Sequence, residues 1–402
     1  MSRDSRQRAV VLHTRVVTGT GGGPEKTILN SPRFLRQYGI ESACMFLRPP
    51  DDEGFASLEA SALAADAEII GIDDRGPLDL SIIRKAIRLC KERQVSIWHA
   101  HDYKSNVLGL LVRLCHKMHL VTTAHGWVRF TSRTPLYYKI DRFSMKRYQS
   151  VLCVSEDLIE RCRDAGIRHD RLTLVDNAIV HTDYQTSPPT DAEKALLGFG
   201  PDHILLGAIG RLSEEKGFDN LLEAVKRLVD EGHNLGLVIA GEGHLRQALQ
   251  DQIERLELQN RVHLTGFVTD PRVVYRAIDV YVLSSRREGL PNVVLEAMAS
   301  QRAVVTTEVN GIPRLVQHGH NGIVVPTDNI EGLAEGIRQC LLSPDRRREL
   351  ANEGRRTIEA RFSFARRMDK VVETYRSLSP QLATDIRQLD TEQELVPAPS
   401  CR

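Results

Sequence analysis

The sequence predicts an α/β protein built from two doubly wound domains that face each other across an interdomain cleft. The 402 residues suffice for about two or three domains. Short apolar runs alternate with amphipathic stretches along most of the chain, which is typical of parallel sheets covered by helices on both faces. A polar segment with two prolines, SPPTDAEK at 187–194, separates one α/β series from the next.

The apolar runs are near-continuous in Val, Ile and Leu, as in strands buried on both faces. In the first half they lie at 9–17, 42–47, 67–72, 95–100, 120–125, 151–155 and 172–179. In the second half they lie at 204–210, 235–241, 262–267, 280–285, 303–307 and 322–326. Between them, stretches such as 221–232 and 245–258 have the periodicity of amphipathic helices.

We therefore expect an N-terminal domain over residues 1–186 and a C-terminal domain over 187–361. Residues 362–378 predict one last helix. Residues 379–402 lack apolar periodicity and are expected to form a disordered tail. Because parallel strands gather their carboxyl ends at one edge, the ligand crevice is expected between the two domains.

Composition excludes several classes of protein. The chain has 54 basic and 53 acidic side chains, whereas general nucleic-acid binders carry a basic excess. No apolar stretch is long enough to span a membrane, and His13 and Arg15 interrupt the N-terminal apolar run. We therefore expect a cytoplasmic protein. None of the 7 cysteines form a C-x-x-C pair, which argues against a zinc site.

The segment GRLSEEKGFDNLLEAV at 210–225 carries two cations, Arg211 and Lys216, between a predicted strand and a predicted helix. Cations beside a helix N-terminus suit a phosphate group. Taken alone, the same pattern also fits a solvated charge pair with Glu214 and Glu215.

A second segment, SSRREGLPNVVLEAMAS at 284–300, places Glu288 in a loop and Glu296 eight residues later in a helix. Two such carboxylates can accept hydrogen bonds from sugar hydroxyls or stabilise positive charge at a reacting carbon. The alternative is a helix-start glutamate followed by an ordinary surface glutamate.

Glycines follow the first predicted strand, in TGTGGGPEK at 18–26, and a helix opens at Pro24. Such a turn lets the backbone approach a ligand closely. It superficially resembles a dinucleotide fingerprint, but Pro24 or Lys26 stands where the last glycine is required.

Three histidines lie at the predicted carboxyl ends of adjacent strands. His99 and His101 follow one strand, and His125 follows the next. A lone histidine is more often structural, but three at the edge where ligands bind point to a role for at least one of them.

The stretch at 127–150 interleaves six basic residues with six aromatic ones. Cations and interfacial rings of this kind suit a membrane surface. The alternative is an amphipathic helix with a solvated basic face.

Together these segments resemble the retaining glycosyltransferases of family 4 (glycosyl transferases group 1), which have the Rossmann-like two-domain GT-B fold. The shared motifs follow in the family's order: GG-x-E at 22–25, His125-Gly126, GRL-x3-KG at 210–217, AGEG at 240–243, E-x7-E at 288–296 and NG-x2-VP at 321–326. Each motif alone is weak evidence, whereas the ordered set is specific.

The resemblance implies roles for the side chains that match. Arg211 and Lys216 would hold the diphosphate of a nucleoside-diphosphate sugar, and Glu296 would bind its ribose. His125 and Glu288 would be the catalytic residues beside the transferred sugar.

The resemblance also implies backbone contacts. Gly22 and Gly23 would approach the donor from the N-terminal domain, and the helix at 362–378 would cross back to that domain. A further segment would close on the sugar and phosphate: Gly289, Leu290, Pro291 and Asn292.

The implied activity is transfer of a hexose-type sugar to a hydroxyl of a glycan or lipid-linked acceptor, in polysaccharide or cell-envelope biosynthesis. No cofactor is expected besides the donor substrate, whose base is left open between uridine, guanosine and adenosine. The sequence has no Asp-x-Asp motif, so we expect Arg211 and Lys216 to act without a metal ion. Two alternatives remain: a catalytically silent sugar-nucleotide-binding protein, and a dinucleotide-dependent oxidoreductase, which Pro24 disfavours.

Three positions depart from the family's pattern. Gln301 and Ala303 replace the usual glycine and proline, and Arg314 stands where glutamate is common. These sites flank the expected donor crevice and bear on donor preference.

Overall fold

The computed structural model describes residues 8–19, 21–76, 79–126 and 134–386. Its chain divides into two compact units. The first unit comprises Met1–Asp176 and Arg367–Arg402, and the second comprises Asn177–Arg366.

The first unit contains a parallel sheet of 7 strands in the order β3-β2-β1-β4-β5-β6-β7. Its strands are β1 (Val10–Val16), β2 (Glu41–Arg48), β3 (Ile69–Asp73), β4 (Ile97–Ala100), β5 (His119–Ala124), β6 (Ser150–Cys153) and β7 (Leu172–Leu174). The helices between them are α1 (Gly23–Leu35), α2 (Phe55–Ala64), α3 (Ser81–Glu92), α4 (Tyr103–Arg113), α5 (Thr134–Met145) and α6 (Glu156–Asp164).

The second unit contains a parallel sheet of 6 strands in the order β10-β9-β8-β11-β12-β13. Its strands are β8 (Ile204–Ile209), β9 (Leu235–Ala240), β10 (Val262–Gly266), β11 (Val280–Leu283), β12 (Ala303–Thr307) and β13 (Ile323–Val325). The remaining helices are α7 (Asp191–Leu196), α8 (Phe218–Asp230), α9 (Arg246–Arg255), α10 (Arg272–Ala277), α11 (Asn292–Ala299), α12 (Ile312–Leu315), α13 (Ile330–Leu342), α14 (Pro344–Arg361), α15 (Phe364–Ser377) and α16 (Pro380–Asp385).

Each apolar run identified in the sequence overlaps a strand, which confirms the doubly wound α/β architecture of both units. The runs are continuous because helices cover both faces of each sheet. All six residues of β9 are buried, and β11 and β12 are buried along their full length. Burying a Val, Leu or Ile side chain contributes about 1.5–3 kcal/mol, so these central strands hold each unit together.

Both sheets reverse their strand order at one point, between β1 and β4 in the first unit and between β8 and β11 in the second. The loops that leave the carboxyl ends of these strands diverge to opposite faces, which opens a crevice suited to ligands. Most of the candidate residues follow or end these strands, whereas His125 follows the neighbouring β5 and Glu296 lies on α11.

The segment at 187–194 differs from the linker that the sequence suggests, because it is tied into the second unit. The buried Arg302 side chain donates from Nη2 to the Ser187 carbonyl at 2.5 Å. Lys194, on α7, lies 2.9 Å from a carboxylate oxygen of Asp279. The division between the units falls instead between Asp176 and Asn177.

The end of the chain also differs from the expectation. The second boundary lies inside α15, between Arg366 and Arg367. Residues Pro380–Asp385 form α16, although the sequence predicts a disordered tail from 379 onward. The Ser379 hydroxyl caps this helix by accepting from the Leu382 amide at 3.2 Å. Residues 387–402 lie outside the described residues.

Within the described ranges, no helix is both long enough and apolar enough to cross a membrane.

Candidate active site

The loop between β8 and α8 holds Lys216 through backbone geometry. Gly217 has φ +61°, and a Cβ there would lie 2.2 Å from the Ser284 carbonyl oxygen, so only glycine fits. The Ser284 hydroxyl donates to the Lys216 carbonyl at 2.9 Å. The loop is thereby fixed against the end of β11, and α8 begins at Phe218, one residue after the start expected at about Gly217.

Two further glycines explain the AGEG motif. A Cβ on Gly241 would lie 1.9 Å from the Gly210 carbonyl oxygen, and one on Gly243 would lie 2.2 Å from that of Leu212. The backbone around Arg211 therefore packs directly on the turn after β9. Arg211 is itself exposed. Partial burial of Glu215 opposes its ionisation, but hydrogen bonds from the backbone and Ser213, together with the charges of Arg211 and Lys216, lower its pKa.

Lys216 and Glu288 form an ion pair, with Nζ 2.5 Å from Oε1. Their side chains are 18% and 15% exposed, so the pair is largely withdrawn from solvent. The Ser285 hydroxyl donates to the same Glu288 oxygen at 2.9 Å, and Thr307 Oγ1 donates to the Ser285 carbonyl at 2.6 Å. Lys216 is therefore held in one orientation by a carboxylate that is itself hydrogen-bonded.

Arg286, which sequence reasoning did not single out, braces the loop that carries Glu288. Its guanidinium makes two hydrogen bonds to the Asp219 carboxylate, at 2.9 and 2.8 Å. It also lies 2.6 Å from Asp328 and donates to the Glu214 carbonyl at 2.9 Å. These carboxylates raise the pKa of Arg286. In the sequence, only its position two residues before Glu288 indicates that Arg286 belongs to this site.

Glu296 lies on α11 and is 5% exposed. The buried Tyr275 hydroxyl donates to Glu296 Oε2 at 2.9 Å. Burial, reinforced by the Glu296 charge, raises the pKa of both Tyr275 and Tyr184. Both phenols are therefore neutral donors that orient the carboxylate. No local sequence pattern pairs Tyr275, 21 positions away, with this glutamate.

The segment from Gly289 to Asn292 leads into α11. Leu290 is buried, and Pro291 is the extended residue that precedes the helix, which begins at Asn292. A Cβ on Gly311 would lie 1.9 Å from the Gly289 carbonyl oxygen, so the 310–313 loop packs directly on this segment.

Gln301 occupies a left-handed conformation, with φ +56°. This explains why glycine is usual at the position in the resembling family, because glycine adopts positive φ without steric cost. Gln301 contacts Asn352 through its side-chain amide.

In the first unit, the glycine turn is closed by a side chain. The Gly22 amide donates to Glu25 Oε2 at 2.7 Å, and α1 begins at Gly23. Arg15, on β1, forms an ion pair with Glu25 and also donates to the His101 carbonyl at 2.7 Å. Arg15 thus connects the glycine turn to the histidines at the same edge of the sheet.

Four histidines lie together at this edge. His13 Nδ1 is 3.2 Å from His101 Nε2, and His101 Nδ1 is 3.1 Å from His125 Nε2. The ring of His99 stacks on that of His101 with centroids 4.4 Å apart. The three histidines expected at strand ends therefore lie in one cluster. His13 also belongs to this cluster, although its position inside the apolar run of β1 does not indicate a functional role.

These imidazoles are neutral at physiological pH. Burial lowers the pKa of His13 to about 3 and, with the neighbouring imidazoles and cations, moves those of His99, His101 and His125 well below their ordinary value.

The only described residues whose ligand atoms are close enough for a shared metal ion are His13, His99 and His101, within 4.8 Å of one another. Within the described residues, five of their six ring nitrogens face a hydrogen-bond partner, and only His13 Nε2 does not. His99 lies 2.6 Å from the Tyr375 hydroxyl and 2.8 Å from Thr123 Oγ1, and both nitrogens of His101 face other histidines. The arrangement is a hydrogen-bonded cluster rather than a set of free ligands.

Two family sequence models match the chain. "Glycosyltransferase Family 4" matches residues 21–182, and "Glycosyl transferases group 1" matches residues 190–357. Together they cover most of both units.

Individual relatives agree with these matches. The chain is 28% identical over 350 residues to the alpha-D-kanosaminyltransferase of Streptomyces kanamyceticus, covering 82% of this chain and 86% of that protein. It is 25% identical over 297 residues to the capsular polysaccharide biosynthesis glycosyltransferase CapM of Staphylococcus aureus, covering 71% and 77%.

Among solved structures, HepE of Anabaena in complex with UDP is similar with a TM-score of 0.75 and 21% identity, covering 92% of this chain and all of HepE. This likeness confirms the GT-B fold class.

Acidification is expected to destabilise the protein through the histidine cluster. The pKa of each histidine is lower in the folded state than the unfolded value of about 6.5. The stabilisation is therefore complete above about pH 6.5 and is lost as the pH falls towards the folded-state values. Each histidine adds a slope of about 1.4 kcal/mol per pH unit to the free energy of unfolding, which urea titrations at several pH values measure.

Replacing one histidine of the cluster tests whether the cluster causes this pH dependence of the free energy of unfolding. His13→Gln removes one titrating group and is expected to reduce the slope by about 1.4 kcal/mol per pH unit. His320→Gln, at an exposed position, is expected to leave it unchanged. Equal slopes in the two variants would contradict the assignment.

Proposed function

This chain belongs to the group 1 glycosyltransferases of family 4, and we propose that it transfers a hexose-type sugar from a nucleoside-diphosphate sugar to a hydroxyl of a glycan or lipid-linked acceptor, with retention of configuration. The observation that carries the proposal is the Lys216–Glu288 pair, 2.5 Å apart beside the β8–β11 switch point. Family membership excludes the dinucleotide-dependent oxidoreductase.

The diphosphate of the donor is assigned to Arg211 and Lys216. Arg211 is exposed and can fork two phosphate oxygens, whereas Lys216 acts as a point charge. Each cation could contribute roughly 4 kcal/mol of gross attraction before desolvation. The N-terminus of α8 follows Lys216 within two residues and adds its dipole to the same field.

The ribose of the donor is assigned to Glu296. A carboxylate accepts several hydrogen bonds, and the Tyr275 and Tyr184 hydroxyls direct the Glu296 oxygens. A carboxylate held in this way suits the paired hydroxyls of a ribose. The carboxylate is oriented before the ligand arrives, which reduces the entropic cost of binding.

Backbone groups complete the donor site in the proposal. The residues Gly289, Leu290, Pro291 and Asn292 would close on the sugar and the adjoining phosphate at the start of α11. Gly22 and Gly23, at the start of α1, are proposed as donor-binding residues.

His125 and Glu288 are proposed as the catalytic residues. Breaking the bond between sugar and phosphate builds negative charge on the nucleoside diphosphate and positive charge on the sugar. Lys216 and Arg211 would stabilise the first, and the Glu288 carboxylate the second. We favour front-face attack by the acceptor hydroxyl, with a phosphate oxygen of the leaving group taking the proton.

The reaction is proposed to need no divalent metal ion, because the two cations of the β8–α8 loop can neutralise the departing diphosphate. We expect full activity in the presence of EDTA. Activity abolished by EDTA and restored by manganese would contradict metal independence.

The acceptor is proposed to be a growing polysaccharide or lipid-linked glycan of the cell envelope. Two relatives carry names of this kind: CapM, and the lipopolysaccharide core biosynthesis glycosyltransferase LpsE of Rhizobium meliloti, which is 31% identical over 213 residues. The UDP bound to HepE makes a uridine nucleotide the first donor to test.

A cytoplasmic, peripheral membrane location is proposed on the exposed face of α5 and the residues after it. Phe143 is 58% exposed, and the Arg147 guanidinium lies 3.6 Å from its ring centroid. Lys139 and Lys146 are exposed on the same segment. Of the basic stretch at 127–150, residues 127–133 lie outside the described residues.

Replacing Lys216 by Ala is expected to weaken binding of UDP and GDP roughly 10- to 100-fold, because a hydrogen bond from a charged group contributes about 1.5–3 kcal/mol. Isothermal titration calorimetry measures the loss.

The matched control is Lys226→Ala on α8, which removes a lysine paired with Asp230 on the surface. Unchanged nucleotide affinity in Lys216→Ala would contradict the pocket. Wild-type binding without turnover over a broad acceptor panel would favour the catalytically silent sugar-nucleotide-binding protein.

Changing Lys146 and Arg147 to Glu is expected to reduce binding to anionic liposomes, at about 1 kcal/mol for each lost cation plus the repulsion of each new charge. Sedimentation with vesicles of anionic phospholipid measures it. The exposed pair Arg84 and Lys85 on α3, changed in the same way, provides a control of equal charge. Equal binding by both double variants would contradict a membrane role for this segment.

A further inference from the structure

The histidine cluster does more than fill the core of the first unit. We propose that His101, supported by His13, is a positioning residue that fixes the tautomer of His125, so that His125 carries its proton on Nδ1 and acts as a hydrogen-bond donor. The inference rests on the proposed role of His125 beside the transferred sugar.

The geometry is a chain of three imidazoles. His13 Nδ1 faces His101 Nε2 at 3.2 Å, and His101 Nδ1 faces His125 Nε2 at 3.1 Å. A neutral imidazole has one N–H donor and one acceptor nitrogen. In such a chain the position of one proton determines all the others.

The direction of hydrogen-bond donation along the three imidazoles follows from His13, the ring at the buried end. His13 is 1% exposed, and its Nε2 has no hydrogen-bond partner within the described part of the chain. Buried N–H groups without an acceptor are rarer than acceptors without a donor. Burial and the positive charge of Arg367 lower the pKa of His13, so its ring is neutral and one of its two nitrogens carries a lone pair.

His13 therefore carries its proton on Nδ1 and donates to His101 Nε2. His101 must then carry its own proton on Nδ1 and donate to His125 Nε2. This leaves Nδ1 as the protonated nitrogen of His125.

The central ring of the chain is immobilised. The ring of His101 stacks on that of His99. His99 is itself held at both nitrogens, 2.6 Å from the Tyr375 hydroxyl and 2.8 Å from Thr123 Oγ1. Arg15 donates to the His101 carbonyl at 2.7 Å. The orientation that His101 imposes on His125 is therefore set by packing as well as by hydrogen bonding.

The consequence concerns the chemistry of His125. A neutral imidazole whose Nε2 is occupied and whose Nδ1 is protonated has no free lone pair with which to remove a proton. His125 would then stabilise an oxygen of the sugar or phosphate by donation. This agrees with a mechanism in which the leaving phosphate, and not a side chain, accepts the proton of the acceptor.

Two variants of His101 distinguish loss of the hydrogen bond to His125 from loss of the imidazole ring itself. His101→Asn places its amide nitrogen near the position of Nδ1 and can still donate to His125. His101→Gln places its amide near Nε2 and leaves His125 Nε2 without a donor. Tyr375→Phe removes a hydrogen bond to His99, which is not one of the three linked imidazoles. This variant is the control for loss of buried hydrogen bonding in the cluster.

The experiment is nitrogen NMR of the whole chain labelled with ¹⁵N-histidine and free of substrate, with the His125 signals identified from a His125→Asn sample. We expect a protonated Nδ1 on His125 in wild type, His101→Asn and Tyr375→Phe, and a shift towards the Nε2–H tautomer in His101→Gln. In assays of UDP-glucose hydrolysis, kcat is expected to fall roughly 10- to 100-fold in His101→Gln alone, with UDP affinity unchanged.

An Nε2–H tautomer of His125 in wild type would overturn the inference. So would stoichiometric metal bound through His101, or a shifted tautomer in His101→Gln with undiminished kcat. Failure of the proposed function shows itself separately, as absent nucleotide binding and turnover in wild type, and in that case the NMR result alone decides the tautomer.

Discussion

The second unit depends on a cation and a carboxylate that are held together, 2.5 Å apart, in a place largely withdrawn from water. Removing one partner of such a pair leaves an uncompensated charge and typically costs about 3–5 kcal/mol. This constraint links two motifs that are 72 residues apart in sequence, because Lys216 needs Glu288 for its orientation. It also explains the supports around them: a glycine that lets the loop touch β11, a serine on the carboxylate, and Arg286 bracing the loop from outside.

The two units use the same topology for opposite electrostatics. In each sheet the switch point brings loops from the central strands together at the carboxyl edge. In the second unit these loops carry ionised side chains, as suits a departing diphosphate. In the first unit they carry neutral, desolvated imidazoles, whose pKa values burial keeps low. Charge stabilisation and directional hydrogen bonding are thus assigned to different units of one chain.

Much of this could be predicted from the sequence, because uninterrupted apolar runs and glycine-bounded loops are local signals. Each strand, the start of α8 and the loop positions of Arg211, Lys216 and Glu288 follow from such patterns. The rest depends on contacts between distant segments. No local sequence pattern pairs Tyr275 with Glu296. His13 looks like an ordinary strand residue in the sequence, and only the pairing of β1 with β4 brings it beside the other histidines. The division between the units does not lie near residue 187. The Arg302 side chain, over a hundred residues later in the sequence, donates to the Ser187 carbonyl and holds this segment in the second unit.

In the proposed function, the carboxyl edge of the second sheet binds a nucleoside diphosphate. A crystal structure of the chain with UDP or GDP tests it most directly. We expect phosphate oxygens within hydrogen-bond reach of Arg211 and Lys216, and ribose hydroxyls on the Glu296 carboxylate. A nucleotide bound away from these three side chains would contradict it.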